Sequence, residues 1–473
     1  MKRRESCTGA PAVFPKGRHD GRPLPLSDPA RSAAAERRVA IVTLGCKINQ
    51  YDSNSLAAAV ELNGHRVVPD PAAADVILVN TCTVTGKTDY KGRQLIRKVI
   101  ERNPSAVVVV TGCYAQVQPE PIAAIPGVDY VFGNSEKARI GAWLSTCVKR
   151  AQAEIRVGDI PPKLAPEEEP PEVHSGTTRA FLKIQDGCDE RCAYCIVPRA
   201  RGRSRSLPVQ GVLEKMSHLG RGGYQEVVLC GIHLGVYGRD LDPPVSLAQL
   251  LARLDEDAVV PRIRVSSIEP NEIDAALIEL FAEARSLCPH FHLPMQSGDR
   301  AVLETMGRKY GPEDFARLVE ALLLRIPQAA IGVDVIAGFP GESEPAYRNS
   351  LELLRSLPVS YFHVFPYSAR PGTPAASMPD PVRSEVIQRR AEELRRLGHE
   401  KRAGFYRRFL GKDLEVLVES RRDRETRLLR GFSRNYVPLF FDGEDAWQRR
   451  RVIVRAEEVR GTRVYGAAVA ATG

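Results

Sequence analysis

No apolar run in the 473-residue sequence approaches the roughly 20 residues that a membrane-spanning helix requires. An export signal is missing as well: Met1 to Arg38 is polar, Pro-rich and Arg-rich, and contains no apolar h-region. These two absences argue against a membrane or secreted protein, and the expectation is a cytoplasmic chain whose residues 1–37 form a disordered tail. Cysteine, by contrast, is not scarce. Ten cysteines in a chain without an export signal read as metal ligands better than as disulfides. The remaining composition, 43% hydrophobic and 26% charged, allows a sizeable core, and the length allows about three domains. The net charge of +9 fits a polyanionic partner such as RNA, and bears on binding rather than on fold.

One pattern occurs three times in the first half of the chain. An apolar run ends in a small or polar residue and then a cysteine: Val39 to Cys46, Val76 to Cys82 and Val107 to Cys113. The separations, 36 residues from Cys46 to Cys82 and 31 from Cys82 to Cys113, are close to the length of a βαβ unit. Continuous Val/Ile runs suit parallel strands covered on both faces, with helices over Asp52–Leu62 and Lys87–Ile100 between them. Parallel strands would deliver all three cysteines to one carboxyl edge, where open α/β sheets bind their ligands.

Gly158 to Thr178 is Pro-rich, carries a Glu167–Glu169 run, and reads as linker. Strand and helix alternation resumes at Ala180. The expected strands are Phe181–Gln185, Glu226–Leu229, Ile263–Ser266, His290–Leu293, Ile331–Ile336 and Tyr361–Phe365, a partial or complete β/α barrel. One or two basic helices follow over Asp380–Leu410. Period-two alternation from Gly411 onward predicts a small closed β domain. With 13 Lys/Arg against 10 Asp/Glu, that domain's charge alone does not establish RNA binding.

The sharpest local signal is Cys188-Asp-Glu-Arg-Cys192-Ala-Tyr-Cys195, just after the first barrel strand. A closed zinc site needs four ligands, and no fourth lies nearby. A [4Fe–4S] cluster held by three cysteines keeps one iron open to a substrate or cofactor. Reduced structural thiols are the remaining alternative.

Cys188, Cys192, Tyr194 and Cys195 resemble the radical S-adenosylmethionine (SAM) signature, aromatic residue included. The resemblance extends through Leu44–Ser53, Asn80–Thr85 and Thr111–Cys113, which look like the amino-terminal domain of radical SAM methylthiotransferases. Phe181–Cys188, Pro198–Ser206, Gly231–Gly235, Ser266–Pro270, Pro294–Gly298 and Gly338–Glu342 resemble the same family's barrel, and the C-terminal β domain is similar to its TRAM module. Cys46-Lys-Ile-Asn-Gln50 points to the subgroup that modifies N6-threonylcarbamoyladenosine beside the tRNA anticodon. The domains so implied are 38–150 (amino-terminal parallel α/β sheet), 151–178 (linker), 179–408 (radical SAM partial barrel) and 409–473 (TRAM-like β-barrel).

The resemblance implies two [4Fe–4S] clusters. Cys188, Cys192 and Cys195 would hold the one that binds and cleaves SAM. Cys46, Cys82 and Cys113 would hold an auxiliary cluster that carries the sulfur to be delivered. One SAM would donate a methyl group and a second would generate the radical that removes hydrogen from C2 of the adenine. That route suits an aromatic C–H with no acidic proton, and it assigns no catalytic side chain because the cofactors carry the chemistry. Arg203, Glu269, Gln296 and Gly338 would contact SAM, with Arg205 meeting SAM carboxylate or RNA phosphate. Gly223-Tyr-Gln-Glu226 departs from the superfamily's Gly-Gly-Glu pattern, so no amino-group contact is carried over there. The implied partners are tRNA and an electron donor such as flavodoxin or ferredoxin, with the protein a monomer.

Alternatives keep both clusters but act on isopentenyladenosine tRNA or a ribosomal-protein aspartate. In a different class stands a non-catalytic iron–sulfur RNA-binding protein. Cys7, Cys147, Cys230 and Cys288 are assigned no ligand role, Cys7 being expected in the tail and the others as small core residues. His233 is expected to be a loop histidine with a local hydrogen bond.

Overall fold

The computed structural model describes residues 36–163 and 177–471. The expected tail, with Cys7, lies almost wholly outside the described residues, as does the Glu167–Glu169 run.

The amino-terminal sheet is all parallel. Its strands are β1 (Arg38–Thr43), β2 (Arg66–Val67), β3 (Val76–Thr81), β4 (Val107–Gly112), β5 (Tyr130–Phe132) and β6 (Glu154–Arg156), in the order β2-β1-β3-β4-β5-β6. The Val/Ile runs do what such runs should: Ile77, Val79, Val108 and Val110 face one core, and Val76, Leu78, Val107 and Val109 face another. Both faces are therefore covered. Helix α1 (Lys47–Leu62) follows Cys46, α2 (Gly86–Arg102) follows Thr85, which caps it, and α3 (Cys113–Val117) begins on Cys113 itself. The three short strands β2, β5 and β6 were too brief to announce themselves by alternation. Among them β6 falls within the 151–178 stretch and pairs with β5 at the sheet edge.

The second body starts with β7 (Ala180–Lys183), followed by a two-stranded ribbon of β8 (Gln185–Asp186) and β9 (Arg205–Ser206). The barrel strands continue as β10 (Glu226–Cys230), β11 (Arg262–Val265), β12 (His290–Gln296), β13 (Ala330–Ala337) and β14 (Tyr361–Pro366). They form two parallel three-stranded sheets, β11-β10-β7 and β12-β13-β14, joined by single bridges Ile263–Leu287 and Ser267–His292. All six expected strands are present, and the barrel is partial. Alternation sends Val227, Leu229, Phe291, Leu293, Val333, Val335 and Phe362 outward into the core beneath the helices. Residues of the other parity line the concave inner face.

A single helix, Ser384–Arg407, leads to the closed barrel of β15 (Asp413–Val418), β16 (Leu429–Ser433), β17 (Pro438–Phe441), β18 (Arg451–Arg460) and β19 (Arg463–Ala471). This barrel docks at the amino-terminal end of the larger one. Arg262 Nη2 donates to Phe432 O (3.1 Å), and Arg264 Nη1 donates to Arg434 O (2.9 Å). Among the described residues no helix is long and apolar enough to cross a membrane.

Candidate cluster and cofactor site

Strand direction alone gathers the first three cysteines. β1, β3 and β4 run in parallel, so Cys46, Cys82 and Cys113 all emerge just past their carboxyl ends. Glycines make the approach possible. A Cβ on Gly45 would stand 2.6 Å from Cys82 Cβ, and one on Gly112 would stand 2.3 Å from Thr81 O. Both glycines also hold φ in the left-handed region, at +131° and +101°. Burial, then the neighbouring sulfurs of Cys113 and Cys46, push the Cys82 thiol up to about 12.

The second set, Cys188, Cys192 and Cys195, occupies the loop after β8, at the carboxyl mouth of the barrel. Burial pushes the Cys195 thiol up to about 12, with Cys192 and Cys188 adding to the shift. A thiol so placed ionises only when a cation compensates it, the situation of a metal ligand. A closed zinc site takes four ligands, whereas each of these sets offers three thiols. Three thiolates are the donor set that leaves one iron of a [4Fe–4S] cluster open.

Polar side chains surround the second set. Arg308 Nη1 donates to Cys192 Sγ at 3.3 Å, and the same guanidinium ion-pairs Glu269 through Nη2. Glu190 N donates to Cys188 Sγ at 3.4 Å. His233 Nδ1 lies 3.5 Å from Cys188 Sγ, and its Nε2 lies 2.8 Å from Glu272 Oε1. His233 is thus 6% exposed and in contact with a cysteine of the set, where the sequence argued only for a local bond. Arg308 was not anticipated; it comes from a distant loop and has no motif of its own.

Gln296 and Gly338 lie at the carboxyl ends of β12 and β13, on the same mouth, Gln296 with φ +64°. Gly338 N donates to Glu342 Oε2 at 2.7 Å. Arg203 is 88% exposed and ion-pairs Asp189 at 3.0 Å. Arg205 turns inward, donating to Pro161 O (2.9 Å) and Arg201 O (3.0 Å). Glu226 sits at the opposite, amino-terminal end of the barrel, locked to Arg262 and Arg264, and takes no part in the mouth. Cys147, Cys230 and Cys288 are buried as expected of core thiols.

Arg201 joins the two cysteine sets. It ends the short helix Val197–Arg201, is 3% exposed, and donates to Asp186 Oδ1 (3.1 Å) and Oδ2 (3.0 Å), Asp52 Oδ2 (3.0 Å) and Asn49 Oδ1 (2.8 Å). Asp186 lies two residues before Cys188, and Asn49 and Asp52 lie in the first two turns of α1 after Cys46. Lys183 and Lys137 complete Asp52's shell at 2.7 and 2.8 Å. Burial opposes the Asp52 charge, but these three cations together hold its carboxyl well below the usual range. A second tie links the bodies where Arg370 Nη2 meets Thr83 Oγ1 (2.6 Å) and Asp89 Oδ2 (2.5 Å).

Comparison with known proteins matches this layout. Residues 38–133 match the "Uncharacterized protein family UPF0004", and residues 182–354 match the "Radical SAM superfamily". The threonylcarbamoyladenosine tRNA methylthiotransferase MtaB of Aquifex aeolicus is 37% identical over 86% of this chain and 97% of its own length. The Bacillus subtilis protein of the same name is 38% identical over 86% and 91%. The chain belongs to the radical SAM methylthiotransferase family. A tRNA-2-methylthio-N6-dimethylallyladenosine synthase from Pelotomaculum thermopropionicum is more distant, at 32% identity over 86% and 92%. Among solved structures, the radical SAM methyltransferase TsrM from Kitasatospora setae shares the fold, with TM-score 0.54 over 72% of this chain and 77% of that one, at 18% identity. As a radical SAM methylthiotransferase the chain is an enzyme whose cofactors are SAM and [4Fe–4S] clusters.

Proposed function

We propose that the chain is a tRNA methylthiotransferase that adds a methylthio group to C2 of N6-threonylcarbamoyladenosine at position 37, beside the anticodon. The observation that carries this reading is the pairing of two three-cysteine sets at facing edges, bridged by one buried arginine. Three ligands per cluster leave one iron at each free for a small molecule. Cys188, Cys192 and Cys195 are the proposed ligands of the SAM-binding cluster, and Cys46, Cys82 and Cys113 those of the auxiliary cluster. When bound, the clusters and SAM supply the electron, the radical, the sulfur and the methyl group.

The chain's own residues position these groups and shield them. Glu269, fixed by Arg308, together with Gln296 and Gly338, forms the proposed SAM contact at the mouth, with Arg203 at its outer rim. Arg201 keeps the loop carrying Cys188 in register with α1 and therefore with Cys46. Arg308 presents a donor to the Cys192 sulfur, which favours the electron-rich thiolate once metal is bound, and His233 lies against the Cys188 sulfur. The division into 38–150, 179–408 and 409–473 assigns auxiliary-cluster, SAM and RNA-binding duties in that order, with 1–37 as a tail and 151–178 as a connector that first lends β6 to the amino-terminal sheet. A flavodoxin- or ferredoxin-like donor, a monomeric state and a cytoplasmic location complete the proposal.

The substrate subgroup is supported by 36–38% identity to four relatives named for threonylcarbamoyladenosine, against 32% to the dimethylallyladenosine synthase. The test is anaerobic turnover with dithionite and SAM on threonylcarbamoylated and on isopentenylated tRNA, with nucleosides read by mass spectrometry. The 2-methylthio product is expected from the first tRNA. Product from the second alone contradicts the assignment. In the same assay Cys192→Ala abolishes deoxyadenosine formation, whereas Cys82→Ala retains some cleavage of SAM and loses thiolation.

A further inference from the structure

Beyond the cysteines, one group of side chains converges on a point that no step above uses. His292 on β12, Asp334 on β13 and His363 on β14 lie side by side on three adjacent strands, with one donor atom from each within 4.8 Å of the others. His292 Nε2 is 2.8 Å from Asp334 Oδ1, and His363 Nδ1 is 3.2 Å from the same oxygen. Their neighbours in sequence, Phe291, Leu293, Val333, Val335 and Phe362, all face the outer core, so the trio is on the concave inner face. His292 is four residues before Gln296, and Asp334 is four before Gly338. At the rise of a strand, that depth is about 13 Å below the barrel mouth.

We propose that His292, Asp334 and His363 form a divalent-metal site of the zinc class inside the barrel, separate from both cysteine sets. Two nitrogens and a carboxylate oxygen on one face are the donor set of open zinc and non-haem iron sites, which keep further positions for water or substrate oxygen. Ligands about 2.1 Å from one ion, at angles between octahedral and tetrahedral, stand about 3.0–3.4 Å apart. The observed 2.8 and 3.2 Å need to change by only a few tenths of an ångström. Exposure also fits: the His292 and Asp334 side chains are 11% and 20% exposed, while His363 is 51% exposed, leaving a path for an ion. Tyr361 supports the trio from below, its ring 5.4 Å from that of His363 and 6.3 Å from that of His292. The site places a Lewis acid in the lumen, where it can hold an oxygen donor beneath the cofactor mouth.

The test uses the full chain with both clusters reconstituted anaerobically. Zn2+ is added at one equivalent against a competing chelator, and retained zinc and iron are measured together after gel filtration. One zinc per chain is expected with iron unchanged. Asp334→Asn and His363→Ala should each lower zinc retention by more than the roughly tenfold that loss of an outer-shell partner costs, again with iron unchanged. His363, half exposed, can be truncated without opening the core. A wild-type chain that retains no zinc overturns the proposal, because the trio is then only hydrogen-bonded. Zinc held equally by both variants also overturns it, since that metal sits elsewhere. The readout is metal content, so it stands apart from whether any tRNA is thiolated.

Discussion

Arg201 is a cation at 3% exposure between two carboxylates at 8% and 4%, and its removal leaves Asp186 without its main partner and Asp52 with only Lys137 and Lys183. Arg201→Met should therefore destabilise the chain by about 3–5 kcal/mol, the cost of breaking a buried pair from one side. Urea unfolding of the apo chain measures this, and a loss below about 1 kcal/mol, typical of a surface pair, would contradict it. This residue also marks where the sequence stops being readable. Arg199, Arg201, Arg203 and Arg205 alternate along one short segment, and nothing local tells them apart. Only the turn after the helix Val197–Arg201 decides that Arg203 faces water while Arg201 turns in. The six cysteines were legible because strand direction or close spacing brings them together. His233 and Arg308 were not, because they reach Cys188 and Cys192 across the barrel mouth from separate loops.

At the scale of elements, the long apolar strands were legible from Val/Ile runs, and the helices from the spacing between them. Strands of two or three residues were not, since alternation needs length to be seen. The docking of the small β-barrel was equally hidden: it depends on Glu226, Arg262 and Arg264 stacking across β10 and β11, with backbone carbonyls of 432–434 closing the shell. Burial works against the Glu226 charge, but Arg264, Arg262 and Arg179 overcome it and hold the carboxyl far below its ordinary 4.5. A depressed folded value stabilises above the unfolded value and loses that stabilisation as pH falls toward the folded one. The stability advantage of wild type over Glu226→Gln should therefore be full above about pH 5 and shrink steadily below about pH 4. Urea unfolding at several pH values measures it. An advantage unchanged down to about pH 3 would mean that the three arginines do not hold this charge.

Taken whole, the molecule sets two sheet edges against each other and seals the far end of the barrel with a third body. Its net charge of +9 suits a nucleic-acid partner, while the site itself is fixed by buried pairs that solvent salt screens little. In the proposed enzyme each three-cysteine set holds its own cluster. Iron content of anaerobically purified or reconstituted protein tests it most directly. About eight irons per chain are expected, falling to about four in Cys82→Ala and, separately, in Cys192→Ala. A wild-type value of about four, unchanged in Cys82→Ala, would contradict it.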